Sequence, residues 1–416
     1  MTRILIIEDN KTLAKLISKK ISSELDFEID IAYKLSEAKL FLKMYKYFVV
    51  LTDLNLPDAP NGEVVDYLVK KEAHTIVLTS NVDKSFRKQI LDKKVIDYVT
   101  KGGMNDIAYI ISTIKRLQKN QEHKVLVVDD SMVFRKQMQS MLQNLFINVY
   151  TVAHGEEALG MLQTHPDISL VLTDYHMPVM DGMELTVKIR ETHSKNEMSI
   201  IAVSSNEDDE INSMFLKHGA NDYIKKPFSK EEFSCRVNNA LEAIENIQII
   251  TNHANRDYLT GLYNRRYFYT HMNLCSADPK YESDHITVAM VDIDDFKKVN
   301  DTYGHDMGDK VIVELSEILT GFTNRKSLVA RFGGEEFCIV LKDINKKEAF
   351  DTLEKVRTEV QNTSIISDKG ENIHFTISLG ASLYSDNDND LEEALNQADM
   401  MLYKAKQNGK NQTIFE

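Results

Sequence analysis

The first half of this chain is written twice. RILIIEDN at Arg3–Asn10 returns as KVLVVDDS at Lys124–Ser131, and VVLTDLNLP at Val49–Pro57 returns as LVLTDYHMP at Leu170–Pro178, both 121 residues on. TIVLTSN at Thr75–Asn81 and DYVTK at Asp97–Lys101 return 125 residues on, as IIAVSSN at Ile200–Asn206 and DYIKK at Asp222–Lys226. A tandem duplication of this kind requires the same small fold to close twice. Within each copy, short β-branched runs alternate with amphipathic stretches such as Thr12–Ser22 and Met132–Leu145. That alternation predicts an α/β unit, with βαβ crossovers around a parallel sheet covered on both faces.

Sites in an open parallel sheet lie beyond the carboxyl ends of its strands. The polar residues of both copies fall there: Glu8, Asp9, Asp53, Thr79 and Lys101 in the first, Asp129, Asp130, Asp174, Ser204 and Lys226 in the second. Three carboxylates at one sheet edge repel one another unless a hard divalent cation such as Mg2+ neutralises them. A cation and a lysine together suit an incoming phosphoryl group, and a hydroxyl one strand away can report its arrival. A single acid after a strand is most often a turn cap; five matched residue types in the same order, twice, are not.

These residues closely resemble the response-regulator receiver family over about 1–245. The resemblance implies flavodoxin-like doubly wound domains, Asp53 and Asp174 as phospho-acceptors, and Glu8/Asp9 and Asp129/Asp130 as acidic metal pairs. It also implies Thr79 and Ser204 as switch hydroxyls, Lys101 and Lys226 as phosphate-reading lysines, and Tyr98 and Tyr223 as aromatic switch positions. The second copy keeps MPVMDG and Lys226-Pro227; the first has an extra residue in LPDAPNG and reads Lys101-Gly102-Gly103. A Lys-Pro bond can be locked cis to aim the lysine, so Asp174 is expected to be the more competent acceptor.

Length and composition limit the rest. At 416 residues the chain holds two to four domains. A net charge of −14 argues against a nucleic-acid partner, which needs a basic face. Cys235, Cys275 and Cys338 lack metal-ligand spacing and read as reduced thiols. No apolar run approaches the length that spans a bilayer, and a strand-like segment by Arg3 leaves no room for a signal peptide. A cytoplasmic protein without membrane insertion is expected.

From Phe233 the apolar residues Val237, Ala240, Ile244, Ile247, Thr251 and Ala254 follow a 4-3 spacing over about three heptads. The first turns read as the last helix of the second copy. Beyond Ile244 the same helix reads either as a continuation of it or as a weak coiled-coil stalk. The earlier junction, Lys115–Lys124, is short and polar.

The pattern changes from Asp257. ITVAMVDID reads as a buried strand ending in carboxylates, SLVARFGGEEFCIVL as two strands around a Gly333-Gly334 turn, and Asp390–Asn408 as an amphipathic helix. Asp292 and Glu335 can approach each other there and share metal ions, the usual equipment for holding a triphosphate. The glycine pair lets phosphate or ribose come close to the backbone. Lys297, Lys406 and Lys410 can supply positive charge, and Asn300 with Asp309 suits a guanine edge. DYLTGLYNRR, DIDDFKKVNDTYGHDMGD, RFGGEEF and YKAKQNGKN, in that order, resemble the GGDEF diguanylate cyclases over roughly 255–416.

That resemblance implies an α+β domain like the nucleotide-cyclase and polymerase-palm core. It implies an enzyme condensing two GTP into cyclic di-GMP and two pyrophosphate. Its metal, Mg2+ or Mn2+, would be held by Asp292, Glu335 and the Ile293 carbonyl. Glu336 would be a further ligand or proton acceptor, with Phe296, Lys297, Asn300, Asp309, Lys406 and Lys410 binding GTP. Two GTP joined by domains that hold one each imply a homodimer on activation, with a cognate sensor histidine kinase as phosphodonor. Lys410 stands where the family often has arginine. The window of the family's RxxD product-inhibition motif reads Asn324-Arg325-Lys326-Ser327, so strong feedback inhibition through it is not expected. Two rival readings are a degenerate GGDEF module that binds nucleotide without turnover, and a phosphorelay adaptor using the receivers alone. The intact acids argue against the first, and about 160 further residues against the second. The expected domains are 1–120 and 121–245 (receivers), 246–256 (helical linker) and 257–416 (cyclase).

Overall fold

The computed structural model describes all residues except 1, 80–92, 102–103, 205–208, 278–285, 324–326, 368–369 and 385–390, and also omits the side chains of 104, 209–212 and 273–277. The chain forms two compact units, Met1–Ile247 and Gln248–Glu416.

The first unit holds two five-stranded sheets. Strands β1 (Arg3–Ile7), β2 (Glu28–Ala32), β3 (Val49–Asp53), β4 (Thr75–Thr79) and β5 (Asp97–Thr100) pair in the order 2-1-3-4-5. Strands β6 (Lys124–Val128), β7 (Asn148–Val152), β8 (Ile168–Asp174), β9 (Ser199–Ser204) and β10 (Asp222–Lys225) repeat it as 7-6-8-9-10. Every pairing in both sheets is parallel. This is the doubly wound arrangement whose switch point lies between the first and third strands. Four helices are described in the first copy, α1 (Lys11–Glu24), α2 (Leu35–Met44), α3 (Glu63–Lys70) and α4 (Met104–Asn120). The second has α5 (Met132–Asn144), α6 (Gly155–Thr164), α7 (Gly182–Arg190), α8 (Asp209–Lys217) and α9 (Lys230–Asn255).

The two copies share one apolar cluster. Ile110, Ile114 and Leu117 of α4 join Val125, Leu142 and Leu241 in it, and the Phe146 ring lies 4.6 Å from Phe48 and 4.1 Å from His74. The junction that reads as short and polar is therefore mostly helix: α4 runs to Asn120 and only three residues separate it from β6. Its polar side chains are used. Glu245 of α9 is 7% exposed, with the Arg116 guanidinium at 2.6 Å, the Lys119 ammonium at 2.8 Å and His123 Nε2 at 2.6 Å. Buried Asn120 donates to the Leu145 carbonyl and to Asn238. Helix α9 continues unbroken to Asn255.

The second unit is built on a six-stranded sheet in the order β11-β13-β14-β12-β17-β18. Central β12 (Ile286–Ile293) pairs antiparallel with β14 (Glu336–Lys342) on one side and β17 (Ile377–Tyr384) on the other. Strand β13 (Leu328–Gly333) closes the hairpin with β14, and β11 (Tyr263–Asn264) and β18 (Thr413–Phe415) form the edges. A separate hairpin joins β15 (Ser364–Ile366) and β16 (Asn372–His374). Helices α10 (Arg265–Ala277), α11 (Phe296–Tyr303), α12 (His305–Phe322), α13 (Lys346–Asn362) and α14 (Leu391–Gln407) complete the unit. Every residue of β12 is buried, as its mostly apolar run requires, so its polar end is fixed by the strands on both sides.

Candidate functional site

In each sheet of the first unit the acids converge at the carboxyl ends. Glu8 follows β1 and Asp53 ends β3, and Glu8, Asp9 and Asp53 each bring a carboxylate oxygen within 4.8 Å of the others. Asp129, Asp130 and Asp174 do the same in the second copy. Lys101 Nζ lies 2.7 Å from Glu8 and 2.6 Å from Asp53; Lys226 Nζ lies 2.9 Å from both Asp129 and Asp174. Thr79 and Ser204 are buried at the ends of β4 and β9, and Tyr98 and Tyr223 are half-buried on β5 and β10. The Lys226–Pro227 peptide is cis; Gly102 and Gly103 lie outside the described residues.

The electrostatics suit a divalent cation. Burial pushes the Glu8 carboxyl above its usual range, Lys101 pulls it back, and the Asp53 charge raises it again. Asp174 is raised in the same way, by burial and Asp129 against Lys226. One lysine among three acids leaves a deficit of positive charge, and a divalent ion with oxygen ligands matches that donor set. A cleft of about 890 Å³ also opens in this unit, lined by Tyr98, Tyr109, Arg116, Lys230 and Cys235. Neither acidic triplet lines it, so carboxylate geometry, not volume, locates the chemistry.

In the second unit the register sets Asp292, near the end of β12, opposite Glu336, the first residue of β14. Gly333 and Gly334 take φ of 148° and 55°, conformations that side-chain-bearing residues adopt rarely, and so turn the chain tightly with Glu335 beside Asp292. Arg331 holds the turn: its guanidinium donates to the Gly334 carbonyl at 2.8 Å and to Asp257 at 2.9 Å. Asp257 would be raised by burial, but Arg331 and Thr260 keep its carboxyl below the usual range. Burial pushes Asp292 up to about 6; Lys406, 2.9 Å away on α14, opposes this, and the Glu335 and Glu336 charges add to it.

Phe296 is buried at the start of α11, and Lys297 is exposed beside it. Asn300 packs against Gly308, where an added Cβ would lie 1.9 Å from Asn300 Oδ1. That oxygen is buried and has no hydrogen-bond partner, and exposed Asp309 follows immediately. The structure thus brings together Asp292, Glu335, Glu336 and Lys406, and separately Asn300 and Gly308, the residue before Asp309. Lys410 pairs with Asp295 at 2.6 Å instead of with Asp292. Among the described residues only the two triplets of the first unit bring three carboxylates within 4.8 Å. The Asn324–Lys326 part of the product-inhibition window lies outside the described residues.

Sequence reading passed over four residues here. Asp294 is satisfied structurally, accepting from Thr376, Ser378 and the Asn411 amide. Asp295 holds a left-handed φ of 53° and anchors Lys410. Arg331 and Asp257 fasten the hairpin, and their positions inside RFGGEEF and DYLTGLYNRR were the available signal.

Among the described residues no helix is long and apolar enough to cross a membrane. The response regulator receiver domain family matches residues 4–112 and 125–238, and the diguanylate cyclase GGDEF domain family matches 254–412. Response regulator PleD of Caulobacter vibrioides is 24% identical over 452 residues, covering 99% of this chain and 98% of that protein. Diguanylate cyclase A of Treponema denticola is 37% identical over 174 residues, 41% of this chain and 46% of that one. A crystal structure described as a putative two-component system response regulator/GGDEF domain protein is 37% identical, with a TM-score of 0.53, covering 59% of this chain and all of that one. With receiver domains matched over more than half its length, the chain belongs to the response regulator family, as a member with two receivers and a C-terminal diguanylate cyclase GGDEF domain.

Proposed function

We propose that this response-regulator diguanylate cyclase makes cyclic di-GMP at the carboxyl end of β12, under control of phosphoryl groups taken by Asp53 and Asp174. The observation that carries the reading is buried Asp292 in register with Glu336, beside Glu335 and 2.9 Å from Lys406. Asp292, Glu335 and the Ile293 carbonyl would hold Mg2+ or Mn2+, which when bound neutralises the triphosphate. Lys297, Lys406 and Lys410 steady the phosphates, and Phe296 shapes the loop around them. Asn300 Oδ1, buried and unpartnered, and Asp309 take the guanine edge. Glu335 or Glu336 accepts the proton of the 3′-hydroxyl as its oxygen attacks the α-phosphorus of the partner's GTP and pyrophosphate leaves.

Each cyclase domain holds one GTP, so turnover needs two domains face to face. In the cytoplasm, a cognate sensor histidine kinase supplies the phosphoryl group, the receivers shift packing, and a homodimer forms. The test is the full chain with GTP and Mg2+, with and without acetyl phosphate. Glu335→Ala is expected to abolish product while both receivers still take phosphate. Product formation by Glu335→Ala at the parent rate would refute the site assignment.

A further inference from the structure

Lys226 differs from its counterpart Lys101 in what lies over it. The Phe134 ring covers its ammonium, with Nζ 4.3 Å from the ring centroid, and the Lys226 side chain is 7% exposed against 19% for Lys101. In the first copy Leu13 occupies the equivalent position and packs against the apolar core. Phe134 stays 36% exposed in the first turn of α5. That turn is pinned to the acidic loop, because Arg135 donates to the backbone carbonyls of Asp129 and Asp130. The ring is thus held at a fixed place relative to the acids that Lys226 bridges.

We propose that Phe134 is a positioning residue of the second receiver, whose ring holds the Lys226 ammonium beside Asp174 and prolongs the life of a phosphoryl group there. This rests on the reading of Asp174 as an acceptor. In loading, an Asp174 oxygen attacks the phosphorus of acetyl phosphate and the bond to the acetate oxygen breaks, releasing acetate. In loss, a water oxygen attacks the same phosphorus and the bond to Asp174 breaks, yielding inorganic phosphate and the free carboxylate. Lys226 stabilises the phosphorylated form through charge-assisted hydrogen bonds to phosphoryl oxygens. A cation held against an aromatic face keeps its direction and sheds water on that side, so the ammonium stays on the phosphate and water reaches it less often. The first receiver, with Leu13, lacks this cover.

The experiment uses the full chain carrying Asp53→Asn, so that only the second receiver reports. It is loaded with acetyl phosphate and Mg2+ and desalted, and the decay of its aspartyl phosphate is followed. Phe134→Leu is expected to shorten the lifetime about five-fold, the scale of one cation–π contact. Phe134→Trp, which restores the aromatic face, is expected to match or exceed the parent. Equal lifetimes for the Leu variant and the parent would overturn the proposal, as would a Trp variant decaying as fast as the Leu variant. If the Asp53→Asn chain takes up no more phosphate than Asp53→Asn/Asp174→Asn, the acceptor reading fails and the proposal with it.

Discussion

Glu245→Gln is the substitution that most sharply tests how the receivers are joined. The parent carboxylate is nearly buried and faces Arg116, Lys119 and His123 at 2.6, 2.8 and 2.6 Å. Burial alone would raise its pKa, but these three partners bring it down to about 2 from an ordinary 4.5. That depression corresponds to about 3 kcal/mol at neutral pH. Lys119 is 47% exposed, so its share is screened by solvent, and the net loss on removing the charge is about 2 kcal/mol. Local opening of the joint should therefore become ~30-fold more frequent. Hydrogen exchange on the full chain reads this directly, as faster exchange in peptides covering Met104–Asn120 and the Glu245 region of α9 but not in β12. Because the folded pKa is depressed, the contribution is fully present above about pH 4.5 and is lost as pH falls towards 2. The difference between parent and variant should shrink as pH falls below 4.5. A change in exchange under three-fold at pH 7, or a difference that grows as pH falls below 4.5, would refute the reasoning.

Three further outcomes follow from the sites. Asp292→Asn removes a buried charge that burial already disfavours, so the metal-free cyclase unit should melt a few degrees higher while turnover is lost; lower melting would contradict this. Gly308→Ala places a methyl 1.9 Å from Asn300 Oδ1 and should raise KM for GTP about ten-fold with kcat changed much less, as expected of a base-binding contact; an unchanged KM would remove Asn300 from guanine recognition. Mass spectrometry of the parent after acetyl phosphate treatment should find more phosphate on Asp174 than on Asp53, and the reverse ratio would invert the ranking of the receivers.

Much of this molecule is legible in its sequence, for a physical reason. Residues that share one chemical task at strand ends recur in fixed types and order, so both acidic triplets and their lysines stand out from the duplication alone. The strand ending in Asp292 and the Gly333-Gly334 hairpin are legible because a buried apolar run and a positive-φ turn leave few alternatives. Glu245 is not: on the sequence it is one acid on an amphipathic helix, and its partners lie more than a hundred residues earlier. Phe134 is equally silent, since an aromatic residue in a helix reads as core until the lysine beneath it is seen. The strands β11, β15, β16 and β18, of two or three residues each, are too short to show a period. Asp294 goes unmarked in DIDD, because Thr376, Ser378 and the Asn411 amide give it a structural role that only tertiary contact reveals.

Condensation of GTP by this chain is read most directly from its products. The full chain, treated with acetyl phosphate and incubated with GTP and Mg2+, should yield cyclic di-GMP and pyrophosphate in a ratio of about one to two, as joining two GTP through two phosphodiester bonds requires. GTP that is bound but recovered intact, at every protein concentration and with both receivers phosphorylated, would contradict the account.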